Sequence, residues 1–291
     1  MLNYEKVRHW QSPEIEQTLQ PKDVMLYALG LGLGQDPLDR TQLQFTTEKD
    51  LQVLPTMAAV LTYPGFWMRD APGVGIDAVR LVHGEQSIFL HQPLPAQGIL
   101  VGRSRVTRVV DKGPGKGALV HVEKVVRDAS SDQLLATCES VVFCRGDGGF
   151  SAQGGGDEPA PGLKATPEAS PDIVLTFQTR PEMALIYRLS GDYNPLHCDP
   201  DVAAQAGFSQ PILHGLATYG VAGHLLLKAF CNDDPSRLKS LRARFSAPTF
   251  PGDLIELQCW RLGEDIAFRA CVPARGAVVL SHGSARCAAT A

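Results

Sequence analysis

Two stretches of this chain repeat each other at a fixed distance, and that repetition restricts the architecture more than any other feature. PKDVMLYALG at 21–30 and PEMALIYRLS at 181–190 align without a gap, placing Pro21, Tyr27 and Leu29 against Pro181, Tyr187 and Leu189 at an offset of 181 − 21 = 160. Further on, LVHGE at 81–85 echoes ILHGL at 212–216, which sets His83-Gly84 against His214-Gly215. HQPLPAQGIL at 91–100 likewise resembles SAPTFPGDL at 246–254. Each is followed by an alternating segment, LVHVEKVVRD or LIELQCWRLG, that reads as strand. Duplication of one fold accounts for all of this.

The length of 291 residues fits two such units. Between them, RGDGGFSAQGGGDEPAPGLKATPEASPD is dense in Gly, Pro and small residues and has no apolar periodicity, as expected of a linker. The expected division is therefore a first domain at 1–145, a linker at 146–172 and a second domain at 173–291.

The copies differ where it matters. Between HG and the proline at the next strand entry, the second copy has 248 − 214 = 34 positions and the first 93 − 83 = 10, a deficit of 24. The extra length contains LATYGVAGHLLLKAF, apolar and free of proline, which predicts a buried helix that the first copy has lost. The first copy also reads LGLGLGQDP where the second reads LSGDYNPLH. Chemistry is expected in the second copy only.

Within SGDYNPLHCDP, Asp192 and His197 flank Asn194-Pro195, and Pro195 restricts Asn194 to extended backbone. A carboxylate and an imidazole converging on one volume suit proton transfer at neutral pH. Taken alone, Asp192 reads equally as a cap or turn residue, and His197 as a satisfied histidine. Downstream, Gly215 opens the apolar helix, where free N–H groups can cradle a developing oxyanion and the missing Cβ admits a carbonyl. Gly215 can equally serve only a tight entry into the helix.

YRLSGDYNPLHCDPDVA followed by AGFSQPILHGLATYG resembles the type-2 enoyl-CoA hydratase motif of the MaoC-like dehydratases, including the hydratase unit of the peroxisomal multifunctional enzyme. The resemblance extends through Arg244-Phe245 and Pro251-Gly252, and in the first copy to His83-Gly84 and Asp111-Lys112-Gly113. It implies an α+β double hot-dog fold, with a complete central helix in the C-terminal repeat and a degenerate N-terminal repeat whose vacated space takes the acyl chain. The implied reaction is reversible addition of water to a trans-2-enoyl-CoA, giving the (R)-3-hydroxyacyl-CoA. Asp192 and His197 would be the acid/base pair, Asn194 would hold the water or the loop, and the Gly215 N–H would stabilise the thioester oxygen. His83, Gly84, Lys112, Tyr193, Pro195, Leu196 and Phe245 would line the CoA or acyl site. Lys112, which reads alone as a solvated turn lysine in DKGPGKG, can pair with CoA phosphates. No metal or redox cofactor is implied, because CoA belongs to the substrate and its thioester acidifies the α-carbon. The implied assembly is a homodimer, although a two-copy chain already mimics a hot-dog pair.

Composition excludes other classes. A formal charge of −4 with 20% charged residues leaves no electrostatic footprint for nucleic acid. No stretch approaches the apolar length of a membrane span, and MLNYEKVRHW is not a signal peptide. Seven cysteines without a CxxC pair suggest neither zinc cluster nor disulfide framework, and with the ending CAATA, which is not an SKL-type address, they lead to an expected cytoplasmic location; with no dehydrogenase or lipid-transfer segment flanking the motif, a stand-alone enzyme is expected. LGLGLGQDP is no dinucleotide fingerprint, and Cys198 beside His197 reads as a spectator thiol. The alternatives are a hydratase or dehydratase for a branched or steroid side-chain acyl-CoA, and a non-catalytic thioester-binding module.

Overall fold

In a computed structural model that describes residues 2–288, ten antiparallel strands form one continuous sheet. They are β1 (Ile15–Leu19), β2 (Leu81–Leu90), β3 (Gly98–Asp111), β4 (Ala118–Asp128), β5 (Leu134–Cys144), β6 (Ile173–Gln178), β7 (Leu238–Phe245), β8 (Leu254–Leu262), β9 (Asp265–Val272) and β10 (Ala277–Cys287). The order β1-β3-β4-β5-β2-β7-β10-β9-β8-β6 reads as one five-strand pattern and its mirror, meeting where β2 pairs with β7. That seam runs from Glu85 opposite Arg244 to Phe89 opposite Ser240. The Arg244 guanidinium donates to Glu85 Oε1 at 2.9 and 2.7 Å, so charge complementarity supports the register. This is the double hot-dog arrangement expected from the sequence. Among the described residues no helix is long and apolar enough to cross a membrane.

The repeated PxxxxxY segments form helices Pro21–Gly30 and Met183–Tyr187, which meet in the core. The Tyr27 and Tyr187 rings lie 5.8 Å apart, both buried. Gly30 permits this approach, since a Cβ there would stand 3.0 Å from Tyr187 Cα.

The apolar stretch after His214 is the helix Gly215–Phe230, with every residue from Ala217 to Leu227 buried. A helix apolar on all sides is stable only when surrounded, and the C-terminal half of the sheet wraps it. Among the described residues the first half holds no such helix, but not through deletion. Residues 31–80 separate its opening helix from β2, and residues 188–237 separate the corresponding helix from β7, fifty positions in each case. The same length of chain runs instead through short turns at Arg40–Gln42, Leu43–Thr46, Pro55–Ala59 and Trp67–Asp70. Lys124, buried in β4, anchors this path: its ammonium donates to the carbonyl of Ala59 at 2.9 Å and to that of Leu61. The deficit of 24 positions expected from the spacing is not there, because His83-Gly84 and His214-Gly215 are not equivalent. His83-Gly84 lies inside β2, the counterpart of β7, whereas His214-Gly215 begins a helix.

Candidate active site

The loop from Gly191 to Cys198 is a run of side-chain-capped turns. Asp192 Oδ1 accepts the Asn194 N–H at 3.1 Å, and Asn194 Oδ1 accepts the Leu196 N–H at 3.1 Å, capping a single 3₁₀ turn at Pro195–His197. Pro195 sits at the first position of that turn and holds Asn194 at φ −55°, ψ 122°, as its ring requires. The turn carries His197 inward while the Asp192 side chain stays 47% exposed, against 8% for His197.

His197 Nδ1 lies 2.9 Å from the carbonyl oxygen of Ile212, an acceptor only, so Nδ1 carries the proton and Nε2 is left with a lone pair. Nε2 faces Asp192 Oδ2 across 4.0 Å. That gap is too long for a direct hydrogen bond, but a water about 2.8 Å from each atom fits there with an angle of about 90°. Burial lowers the His197 pKa below the ordinary imidazole value, opposed by the Ile212 contact and the Asp192 charge. The imidazole is therefore neutral at pH 7, with its Nε2 lone pair free to accept a proton.

Behind it, the His214 ring stacks on His197 with centroids 3.7 Å apart and planes at 24°, and its Nε2–H donates to the Asp192 carbonyl at 3.1 Å. Burial, then the neighbouring His197, pushes the His214 pKa down to about 4. Asp192, His197 and His214 each place one possible ligand atom within 4.8 Å of the others. Imidazole lone pairs lie in the ring plane, however, so stacked rings aim theirs side by side rather than at a common ion. The trio suits proton handling better than a metal.

Gly215 follows at the first turn of the central helix. Ala217 and Thr218 both donate to the His214 carbonyl, which leaves the Gly215 and Leu216 N–H groups without an intrahelical partner. Phe245, the last residue of β7, closes the other side, and a Cβ on Gly215 would lie 3.2 Å from its ring. The His83 ring sits 4.8 Å from Phe245, with Nε2 bonded to the Glu85 carbonyl at 3.1 Å, and burial lowers its pKa to about 4. The first repeat thus contributes to the site through the seam.

The remaining residues singled out in the sequence are more dispersed. Gly84 is the extra residue of a β-bulge between His83 and Glu85, where a Cβ would stand 3.1 Å from the Val141 carbonyl oxygen. Lys112 lies beyond β3 with its ammonium 5.0 Å from the centre of the Phe143 ring on β5, the strand next to β2, at the sheet end that carries His83. Tyr193 is exposed beneath the Arg188 guanidinium at 5.0 Å, and Pro195 and Leu196 form the turn itself. Two residues escape the sequence reading. His214 figures there only as the neighbour of Gly215. Tyr63 comes from the rerouted first half; it is 52% exposed, and partial burial followed by the Asp192 charge raises its phenol pKa. No motif marks Tyr63, because only the fold brings it near Asp192.

Comparison with known proteins gives the family. Residues 162–280 match the "MaoC like domain" family and residues 18–146 the "MFE-2 hydratase 2 N-terminal domain". The chain is 38% identical to "Enoyl-CoA hydratase 2, peroxisomal" of Arabidopsis thaliana, covering 92% of this chain and 90% of that protein. It is 42% identical to "3-hydroxyacyl-thioester dehydratase Y" of Mycobacterium tuberculosis over 82% and 81% of the two chains. A crystal structure of a MaoC-like dehydratase from Phytophthora capsici superposes with a TM-score of 0.87 at 34% identity over 100% of both chains. The expectation of a cytoplasmic protein does not survive these relatives. The Arabidopsis protein is peroxisomal by name, as are the multifunctional enzymes of mouse and Drosophila and a hydratase-dehydrogenase-epimerase of Neurospora crassa, of which this chain spans 36%, 47% and 30%. Free cysteines could not decide the matter, because delivery to an organelle can depend on a receptor-read address rather than on a physical property of the fold. The chain belongs to the MaoC-like hot-dog-fold hydratases and is related to the peroxisomal MFE-2 type-2 enoyl-CoA hydratases.

Proposed function

We propose that this hydro-lyase of acyl-CoA metabolism is an (R)-specific 2-enoyl-CoA hydratase that adds water to trans-2-enoyl-CoA in its C-terminal repeat. The observation that carries the reading is the 4.0 Å gap between His197 Nε2 and Asp192 Oδ2, beside the Gly215 amide, which has no intrahelical partner. Water held in that gap gives a proton to the Asp192–His197 pair as its oxygen bonds to the β-carbon. Electron density moves to the thioester oxygen, which accepts from the Gly215 N–H. The same pair then returns a proton to the α-carbon, so atoms and charge balance over the cycle. Asn194 holds the loop through its cap to Leu196. His83 and Phe245 form the wall across the seam, and Lys112 extends the binding surface toward the CoA phosphates.

The division at 1–145, 146–172 and 173–291 follows from the same reading. Among the described residues the first repeat holds no helix through its sheet, and its rerouted segment brings Tyr63 toward Asp192, which suits an acyl-chain site. We read the assembly as a homodimer, on the resemblance. Mixing the protein with trans-2-decenoyl-CoA and with crotonyl-CoA tests the proposal: the enoyl-thioester absorbance falls and the product has the (R) configuration. An (S) product, or neither substrate consumed, would contradict it.

A methyl group at Gly215 supplies a sharper test of the amide. Gly215→Ala is compatible with the backbone but must displace the Phe245 ring or the helix start. Turnover is expected to fall about 10- to 100-fold, because a small displacement of an oxyanion donor is costly. Unchanged turnover in steady-state assays would remove this amide from the mechanism.

A further inference from the structure

Remote from the site, two cysteines fifty-six positions apart meet. The Cys231 thiol donates to the sulfur of Cys287 at 2.9 Å. Cys231 follows the last turn of the central helix and is fully buried, whereas Cys287 ends β10 and is partly exposed. Arg237 clamps the same two segments, donating to the carbonyls of Phe230 at 3.3 Å and Ala288 at 3.1 Å. The hydrogen bond from Cys231 favours the Cys287 thiolate; burial opposes it and the Arg237 charge assists. All seven cysteines are free thiols, and among the described residues no other two are hydrogen-bonded to each other.

We infer that Cys231 and Cys287 are a redox pair that closes to a reversible disulfide on exposure to a peroxide. The Cys287 thiolate attacks one oxygen of the peroxide, the O–O bond breaks, and the cysteine becomes a sulfenic acid as the first water leaves. The Cys231 sulfur, losing its proton, then attacks that sulfur. The S–S bond forms, the S–O bond breaks and the second water departs. Two thiols are oxidised by two electrons while one hydrogen peroxide is reduced to two waters, and a small thiol reverses the change by exchange. The contact needs only a small closure to reach the covalent length of about 2.05 Å. The disulfide would staple the sheet edge to the end of the central helix, about 24 Å from Gly215 at the rise of an α-helix. Its expected effect is therefore on stability and not on turnover.

The full-length protein would be treated with hydrogen peroxide, its remaining thiols alkylated, and the digest analysed without reduction. The expected product is a cross-linked peptide pair containing Cys231 and Cys287, lighter by two hydrogens, in which five of the seven cysteines are alkylated. Dithiothreitol should restore all seven. Melting temperature should rise by about 5–10 °C on oxidation and return on reduction. Cys287→Ser should give neither cross-link nor shift; if it does not fold, the cross-link in the wild-type protein decides alone. Both cysteines alkylated after oxidation, Cys287 converted to sulfinic acid without a cross-link, or thiols lost only elsewhere would each overturn the inference. Because the readouts are mass and melting, failure here leaves the hydratase reading untouched.

Discussion

Asp192→Asn lowers turnover by about 10²- to 10⁴-fold and leaves the fold intact, the range for loss of a general acid or base. The substitution is isosteric, and the amide oxygen it introduces can still accept the Asn194 N–H that shapes the loop. Only the charge and basicity facing His197 are lost. His197→Ala should cost at least as much in turnover. It also removes the partly buried hydrogen bond to the Ile212 carbonyl and the stack on His214, for about 1 kcal/mol of stability. The core of both repeats is untouched, so the variant stays folded. Steady-state kcat with circular-dichroism melts separates the two effects. Activity close to wild type in either variant would remove that residue from the chemistry.

Stability should fall steeply between pH 6.5 and 4, before most carboxylates titrate. His83, His214 and His224 are each held down to about 4 by burial, against about 6.5 in the unfolded chain. Between those values the unfolded state binds more protons, so stability rises with pH; it is fully present above 6.5 and lost as pH falls through 4. A shift of that size is worth about 3 kcal/mol per fully buried histidine, and His214 and His224 are 1% and 4% exposed. The carboxyls of Asp39, Asp77 and Asp111 lie below their usual value, Asp111 at about 2 where burial is outweighed by three backbone N–H donors, so their loss comes at lower pH. Asp233, raised by burial, opposes the slope by at most one proton. Urea unfolding at a series of pH values gives the slope directly, and His224→Leu should reduce it by about one proton. A flat profile from pH 6.5 to 4 would contradict the burial of neutral imidazoles. The acid limb of turnover should likewise lie below the ordinary imidazole pKa, because His197 must be neutral to act as base.

Legibility in the sequence followed physical locality. Tyr27 and Tyr187 pair in the sequence because a Pro-initiated amphipathic helix is a local pattern, and the structure brings the two together in one core. Asp192, Asn194 and His197 were legible because a single proline organises them within six positions. The central helix was legible from an apolar run that only full burial explains. The two HG dipeptides misled, since two residues carry no topology: one is a strand bulge and the other a helix start. The first repeat kept its length and changed its path, which no residue count reveals. The stacking of His214 on His197 depends on the Ile212 segment folding back onto the 195–197 turn, and the approach of Tyr63 to Asp192 on the rerouted segment, so the linear pattern held no trace of them.

The arrangement of water, carboxylate, imidazole and amide is tested most directly by a crystal structure of the Asp192→Asn protein with a bound (R)-3-hydroxyacyl-CoA. The 3-hydroxyl oxygen should lie between the substituted side chain at position 192 and His197 Nε2, with the thioester oxygen within hydrogen-bond reach of the Gly215 N–H. A thioester bound away from Gly215, or a hydroxyl turned from His197, would contradict the proposed chemistry.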